Sequence, residues 1–269
     1  MVVTFHGVRG SVPWSSPGTS AYGANTPCVE LRDPDTGAHL ILDAGTGIVG
    51  LTADLLGRPG PVSVALSHYH WDHTQGLPFF EPLYAPGWQP ALYVPSLGLV
   101  DHTTWLPQHF AAPHFPVAYE DLPNPPTLHM VDVGRQTIGG FAVSTARLSH
   151  PGGSMAYRVH GATGDVVYAT DHGFGDALVD EALCAFSLNA AAVIIDAHFT
   201  PDEFVHHRHW GHSSWRQVAD FGSACGAGHV WLFHHKPGRT DDELTDIVTA
   251  ARRVFPAVSA AREGCSFTV

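Results

Sequence analysis

The sequence predicts an α/β fold in which strands and helices alternate. Near the N-terminus, an apolar strand-type segment at 39–42 runs into the turn sequence Asp-x-Gly-x-Gly at 43–47. A helix at 48–56 and a second apolar strand at 62–66 follow this turn. Farther along, 192–196 is a continuous apolar run of the kind that is buried in a parallel sheet. This alternation of strand and helix is typical of a layered α/β domain.

The other elements are predicted from apolar runs, turn residues and helix-start signals. Ser214 with Gln217, and Thr240 with Glu243, have the spacing of capping boxes, so a helix is expected to begin after each. These helices are expected to end at the glycines 226–228 and near 254. The other predicted strands are 2–5, 28–32, 91–94, 128–131, 141–148, 155–160, 166–170 and 229–233, and the other predicted helices are 74–78 and 176–186.

Length and composition limit the classes of function. With 269 residues, of which 44% are hydrophobic and 14% charged, the chain is expected to form one globular domain over 1–269. The net charge of −12 argues against a long nucleic acid as partner, because a basic face normally supplies that affinity. We expect no signal peptide and no membrane span, and therefore a cytoplasmic protein. Four widely spaced cysteines are expected to be reduced thiols: Cys28, Cys184, Cys225 and Cys265.

The stretch 67–73 concentrates side chains that bind metal ions. His68 and His70 are two residues apart, so both side chains point the same way in an extended segment. Asp72 and His73 follow in a turn and can reach a second point in space. Imidazole nitrogens suit zinc and other first-row metals, and carboxylates suit harder cations. A solvated histidine-rich turn is the alternative interpretation, but such a turn does not require an aspartate between its histidines.

The resulting pattern His-x-His-x-Asp-His resembles the signature of the metallo-β-lactamase superfamily. The resemblance continues along nearly the whole chain and is closest to the ribonuclease Z-like, phosphodiesterase-like branch. It implies an α/β fold built as a four-layer αββα sandwich, with the metal site at the strand-end edge of the two sheets. It also implies that Asp43, which opens the glycine-rich turn, orients a ligand histidine.

The resemblance extends to ligand candidates at later strand ends. His150 precedes a Pro-Gly-Gly turn and matches the third histidine of the family, while Asp171 matches its bridging carboxylate. In the ribonuclease Z-like motif the last ligand stands three residues before a proline, which selects His234, although the residues alone leave His235 open. The implied cofactors are two divalent metal ions, zinc first, with manganese or iron left open. One metal is assigned to His68, His70 and His150, the other to Asp72, His73 and His234, and Asp171 bridges them.

The segment Gly211-His212-Ser213 opens the helix that is expected after Ser214. In the branch that the chain resembles, this histidine acts on the scissile phosphate. We therefore name His212 and Asp72 as catalytic candidates, with His212 as the acid that protonates a leaving alkoxide. The predicted function is a dinuclear metal-dependent hydrolase, most simply a phosphodiesterase that cleaves a small phosphodiester through a metal-bridging hydroxide. Hydrolysis of a lactone, carboxylic ester or thioester is the alternative, whereas a non-catalytic metal-binding module is disfavoured because the ligand set is complete.

Two features bear on the substrate. Only twenty residues separate His150 from Asp171, and most of them belong to two predicted strands. The tRNA-trimming members of the branch carry a long basic arm in this part of the chain, so its absence and the acidic net charge argue against tRNA. A small anionic molecule such as a cyclic nucleotide fits better. The sequence does not determine the oligomeric state and leaves a homodimer open.

Two loop regions each allow two interpretations. The proline- and aromatic-rich segment 79–127 either wraps the pocket as a lid or packs irregularly on the surface. As a lid it would turn four side chains toward a substrate: Trp105, His109, His114 and Phe115. The loops 7–11 and 22–26 resemble paired motifs of the phosphodiesterase-like branch, and either Arg9 and Ser11 help to bind an anion there or the loops are plain connections.

Overall fold

A computed structural model describes residues 1–55, 60–98 and 101–269, and its strands form two seven-stranded sheets. The strands are β1 (Val2–Gly7), β2 (Cys28–Arg32), β3 (His39–Leu42), β4 (Pro61–Ala65), β5 (Gln89–Pro95), β6 (Thr127–Val131), β7 (Gly134–Ile138), β8 (Phe141–Leu148), β9 (Ser154–His160), β10 (Val166–Ala169), β11 (Ala192–Asp196), β12 (Val230–Phe233), β13 (Val258–Ala260) and β14 (Ser266–Thr268). The first sheet has the order β14-β1-β2-β3-β4-β5-β6 and the second β13-β12-β11-β10-β9-β8-β7.

Each sheet joins an antiparallel part to a parallel part. Strands β3 to β6 run parallel in the first sheet, and strands β10 to β13 run parallel in the second. Because parallel strands all end at the same edge of a sheet, the residues that follow them are gathered on one side. This arrangement brings polar residues at the ends of β3, β4, β10, β11 and β12 together.

Helices cover the outer face of each sheet. The helices of the described residues, not all of which lie on these faces, are α1 (Gly47–Leu55), α2 (Trp71–Thr74), α3 (His102–His109), α4 (Ala177–Phe186), α5 (Pro201–His207), α6 (Trp215–Ala224) and α7 (Asp241–Arg252). One apolar core lies between the sheets and includes Phe5, Tyr157 and Phe233. A second core packs α4, α6 and α7 on the second sheet, and a third packs α1, α3 and the turns at 77–83 on the first. The layers are therefore helix, sheet, sheet and helix, which confirms the predicted fold class.

Most element boundaries agree with the sequence prediction. Strands β2, β3, β8 and β11 match to the residue, and β11 is parallel to both of its neighbours, as its continuous apolar run predicted. Helices α6 and α7 begin directly after Ser214 and Thr240, and both residues form capping boxes. Residue 56, the last of the helix predicted at 48–56, lies outside the described residues.

The predicted helix at 74–78 is wrong in position. The chain already forms a helical turn at Trp71–Thr74, and a 3₁₀ turn at Leu77–Phe79 follows it. The cause is local: the backbone N–H of His73 donates to the carbonyl of His70 at 3.0 Å, so residues of the candidate metal-binding motif themselves close the turn. The sequence prediction had placed the helix after the motif.

Several short elements were not predicted from sequence: β7, β13, β14, α3 and α5. Strand β7 lies at an edge and is largely exposed, so its sequence shows no apolar alternation. Helix α5 did carry a signal, because Thr200 and Glu203 form a capping box and Pro201 occupies the first helical position. None of the helices in the described residues is long and apolar enough to cross a membrane. All four cysteines are free thiols, as predicted.

Candidate metal centre

Three acidic or imidazole side chains occupy strained backbone positions at strand ends. Asp43 follows β3, Asp171 closely follows β10 and His234 follows β12, with φ angles of 64°, 57° and 59°. Non-glycine residues seldom adopt positive φ, and such strain of about 1–3 kcal/mol per residue persists where the surroundings hold it, often at functional sites. These turns aim the side chains of both sheets into one place.

The first group of candidate ligands contains His68, His70 and His150, whose ring nitrogens lie close together. Nδ1 of His70 lies 3.1 Å from Nε2 of His150. Nδ1 of His68 contacts the Ser67 hydroxyl at 3.0 Å, which leaves Nε2 to face the group. His68 is buried while His70 is exposed, so the group is open to solvent on one side.

The second group contains Asp72, His73 and His234, all of them buried. Oδ2 of Asp72 lies 3.3 Å from Nε2 of His73 and 3.1 Å from Nε2 of His234. The backbone N–H of Ser11 donates to the same oxygen at 2.7 Å, so the loop at 7–11 fixes the carboxylate. This group lies deeper in the protein than the first.

Asp171 lies between the two groups, and each of its oxygens faces one of them. Oδ1 is 3.7 Å from Nε2 of His150 and 4.0 Å from Nε2 of His68. Oδ2 is 3.1 Å from Nε2 of His73 and 3.4 Å from Nε2 of His234. The structure thus brings together all seven metal-ligand candidates in the two sets that the family resemblance implies.

Asp43 contacts the second group through the ring nitrogen of His73 that faces away from the other candidate ligands. Its Oδ2 accepts a hydrogen bond from Nδ1 of His73 at 2.8 Å and another from the Tyr168 hydroxyl at 2.6 Å. The Ser67 backbone N–H and hydroxyl also donate to Asp43, at 2.6 and 2.8 Å. This carboxylate fixes the tautomer of His73 so that Nε2 is free to bind a metal.

Sequence reasoning missed Asp196, the partner of His212. Nδ1 of His212 lies 2.7 Å from Oδ2 of Asp196, which is fully buried at the end of β11. The backbone N–H groups of Ser213 and His198 donate to Oδ1, so both oxygens are satisfied. Because Asp196 engages Nδ1, Nε2 is the ring nitrogen of His212 that remains for a substrate. The only sequence signal was a carboxylate at the end of a buried strand.

His198 is a buried histidine that, like Asp196, was not predicted as part of the site. Its ring stacks on that of His212 at 4.6 Å, and its Nδ1 donates to the carbonyl oxygen of His234 at 3.0 Å. Burial lowers the pKa of His198 to about 3, so the ring is neutral and packs beside His212 without adding charge. Its contacts hold both neighbouring histidines in place.

The choice between His234 and His235 is a matter of which side of the chain each faces. His234 points into the second ligand group, whereas Nε2 of His235 donates to the carbonyl of Ala261 at 2.8 Å in the protein interior. Gly10 packs directly against the His234 ring, where a Cβ atom would clash. Only a residue without a side chain allows this close approach.

Arg9 does not face the site, although sequence analysis left it open as an anion-binding residue. Its guanidinium is buried and donates to the backbone carbonyls of Gly23 at 2.8 Å and Arg239 at 2.7 Å. A third, longer contact joins it to the carbonyl of Thr19. Arg9 therefore ties the N-terminal loops to the segment that follows β12, and the structure favours the connecting role.

The donor set and its electrostatics fit divalent metal ions. Nε2 of His68 and Nε2 of His73 are buried and have no hydrogen-bond partner among the described residues. Burial would lower the pKa of His234, but Asp171, Asp196 and Asp72 outweigh burial and raise it to about 10. Burial would likewise raise the pKa of Asp171, but His234 and His73 hold it well below its usual range. Ionised carboxylates therefore favour a positive charge at this position, which is a proton on His234 in the metal-free protein. The same nitrogen and oxygen donors are suited to a divalent cation.

Two cavities border segments that carry candidate ligands. A cavity of about 630 Å³ is lined by His150, Gly211 and Arg208, among others. A cavity of about 320 Å³ lies on the side of Tyr69 and Trp71, the residues that flank His70 in the chain. The second cavity also has in its lining the four residues of the 79–127 segment that were proposed to face a substrate: Trp105, His109, His114 and Phe115.

Comparison with known proteins gives a family match over most of the chain. The family described as "Beta-lactamase superfamily domain" matches residues 39–235, which include every candidate ligand. The uncharacterized protein ML1173 of Mycobacterium leprae is 30% identical over 186 residues, covering 66% of this chain and 60% of that protein. The chain therefore spans less than two thirds of the length of this relative.

Solved structures of low sequence identity share the fold. The metallo-β-lactamase fold protein YhfI from Bacillus subtilis has a TM-score of 0.71 at 20% identity, with 99% of both chains covered. A diphosphatase of the PhnP family has a TM-score of 0.69 at 18% identity, covering 100% of this chain and 97% of the other. The short form of human tRNase Z also has a TM-score of 0.69 at 18% identity, covering 100% and 99%.

Proposed function

This chain belongs to the β-lactamase superfamily, and from this premise we propose that it is a hydrolase, specifically a dinuclear metal-dependent phosphodiesterase. The observation that carries the proposal is Asp171, whose two oxygens face two separate groups of nitrogen and oxygen donors. One carboxylate shared between two groups suits a pair of metal ions. The similarity of the fold to a PhnP-family diphosphatase and to tRNase Z supports the choice of a phosphoester substrate.

In the proposed site, one ion would be held by His68, His70 and His150, and the other by Asp72, His73 and His234. Two divalent ions, zinc by donor type, would supply Lewis-acid stabilisation of phosphoryl oxygens and lower the pKa of water. Asp43 keeps His73 in the tautomer that presents Nε2. The backbone N–H of Ser11 donates to Oδ2 of Asp72 and so orients this carboxylate toward the second ion position.

His212 is proposed to donate a proton to the leaving oxygen. Asp196 holds Nδ1 through a short, buried hydrogen bond, so Nε2 is the nitrogen that meets the substrate. The ring centroid lies 5.3 Å from that of His150 and 5.0 Å from that of His234, so the donor stands beside both ligand groups. General acid catalysis of this kind contributes about 10²- to 10⁴-fold.

The substrate is proposed to be a small anionic phosphodiester such as a cyclic nucleotide. The net charge of −12 disfavours a long polyanion, and the segment between His150 and Asp171 consists mainly of β9 and β10. Hydrolysis of lactones, esters or thioesters remains the second candidate. The acid–carboxylate pair of His212 and Asp196 favours the phosphodiester, because an alkoxide leaving group needs a proton.

The proposal is tested by metal analysis of the purified protein followed by a substrate panel. We expect about two equivalents of divalent metal per chain. The panel contains cyclic nucleotides, aryl phosphodiesters, lactones and thioesters, all assayed with the same metal-loaded preparation. Phosphodiester hydrolysis that disappears on chelation and returns with added metal supports the proposal. Turnover of lactones or thioesters alone would assign the protein to the second candidate.

A further inference from the structure

We propose that the 320 Å³ cavity beside Tyr69 and Trp71 binds a planar aromatic ring of the substrate. The inference rests on the proposed function for the phosphate, and it adds the chemical class of the group attached to that phosphate. Seven aromatic side chains line the cavity: Tyr69, Trp71, Phe79, Trp105, His109, His114 and Phe115. No lysine, arginine, aspartate or glutamate is present in this described lining, so the cavity suits an uncharged ring.

The walls are held in place before any ligand arrives. The Tyr69 hydroxyl donates to the carbonyl of Pro95 at 2.8 Å, and Nε2 of His109 donates to the carbonyl of Thr74 at 2.9 Å. The rings of Tyr69 and Trp105 pack edge to face with centroids 4.9 Å apart. A preformed cavity binds more tightly than one that must first be ordered, because less conformational entropy is lost on binding.

Two of the wall residues expose most of their rings to solvent. Trp71 is 72% exposed and Phe79 is 61% exposed, although both could bury a large apolar surface. The free edges of these rings leave apolar area for a stacked ligand. The volume of about 320 Å³ is at the lower end of the range of small-molecule sites and accommodates one aromatic group.

The location of the cavity beside the candidate ligand segment indicates that its occupant is part of the substrate. Tyr69 and Trp71 flank the candidate ligand His70, and α2 carries both Trp71 and Asp72. The cavity thus borders the segment that carries His70 and Asp72, although the ligand side chains themselves are not in its lining, and the phosphoester of a bound ring would extend from the cavity toward them. Stacking on aromatic side chains does not depend on base identity, so nucleosides and aryl esters are both within the proposed class.

Direct binding to the metal-loaded protein tests the inference. Phenyl phosphate and methyl phosphate carry the same charged group and differ only in the ring, and calorimetry gives a Kd for each. We expect Phe79→Ala to weaken phenyl phosphate about tenfold, or about 1.4 kcal/mol, and to leave methyl phosphate unchanged. Phe115→Ala is a second variant with the same expectation, and Leu178→Ala on α4 is the control, since Leu178 is 81% exposed and outside this cavity.

Three outcomes would overturn the inference. They are equal Kd values for the two ligands in the wild type, an equal loss of affinity for both ligands in the cavity variants, and weaker binding of phenyl phosphate by Leu178→Ala. Sedimentation of the wild type and of Phe79→Ala adds a fourth. If the wild type is a dimer that this substitution dissociates, a second copy covers the cavity instead. Phosphodiester turnover is measured separately. Ring-dependent binding without turnover would refute the proposed function but not ring binding in the cavity. Turnover without ring-dependent binding would refute ring binding in the cavity alone.

Discussion

Replacement of His212 by alanine is expected to slow the hydrolysis of alkyl phosphodiesters while leaving the metal content nearly unchanged. The ring is assigned to neither ligand group: its Nδ1 lies 3.7 Å from Oδ1 of Asp171 but only 2.7 Å from Oδ2 of Asp196, which engages it. Loss of a general acid should lower kcat by about 10²- to 10⁴-fold for an alkoxide leaving group. A nitrophenolate leaves without protonation, so the same variant should hydrolyse an aryl diester at a rate much closer to that of the wild type.

A milder substitution, at the partner of His212, tests how much of the loss in kcat depends on the hydrogen bond to Asp196. Asp196→Asn keeps the shape of the buried side chain but replaces one accepting oxygen by a donor, so the hydrogen bond to Nδ1 of His212 is broken or reversed. A buried charge-assisted hydrogen bond is worth about 1.5–3 kcal/mol, which corresponds to a loss of about 10- to 150-fold in kcat. Nδ1 of His234 lies 3.3 Å from the same carboxylate, so metal content must be measured for this variant as well.

The assay compares kcat for an alkyl diester and a nitrophenyl diester on the wild type, His212→Ala and the exposed control His206→Ala. The control should behave as the wild type with both substrates. Equal losses on the two substrates in His212→Ala would refute proton donation and leave an electrostatic or structural role. Loss of metal in the same variant would make His212 a ligand, and the assignment of His234 would then have to be revised.

Three further predictions concern the metals and the substrate. Asp171→Ala should empty both metal positions, because its two oxygens face both ligand groups, and metal analysis showing two tightly held ions would contradict this. Burial opposes the charge on His234, but neighbouring carboxylates raise its pKa in the metal-free protein to about 10, above the ordinary 6.5. Its contribution to stability is therefore complete below about pH 6.5 and is lost as pH rises toward 10, so urea unfolding of metal-free protein should show a decline that His234→Gln reduces. Precursor tRNA should not be processed, given the net charge of −12, and efficient, salt-sensitive cleavage would overturn that expectation.

The sequence by itself determined the fold class and nearly all of the polar residues that the structure gathers in one place. Histidines and aspartates that stand just past apolar strands are readable one by one, because strand ends and turn residues are local features. The motif at 67–73 stands out by itself, whereas the later residues His150, Asp171 and His234 were selected among strand-end residues by the family resemblance. Capping boxes fixed the start of α6 in the same way, and with it the position of His212 ahead of the helix.

Only the tertiary structure decided which of these residues act as partners. The pairing of His212 with Asp196 joins residues on two different elements, and the contact between Asp43 and Tyr168 joins the two sheets. Arg9 has the residue type of an anion-binding side chain, yet its guanidinium donates to the backbone carbonyls of Gly23 and of Arg239, the second of them 230 residues along the chain. Local sequence sets the direction of a side chain relative to its own strand, whereas its neighbours depend on how the sheets pack. Partner identity is therefore a property of the packed fold.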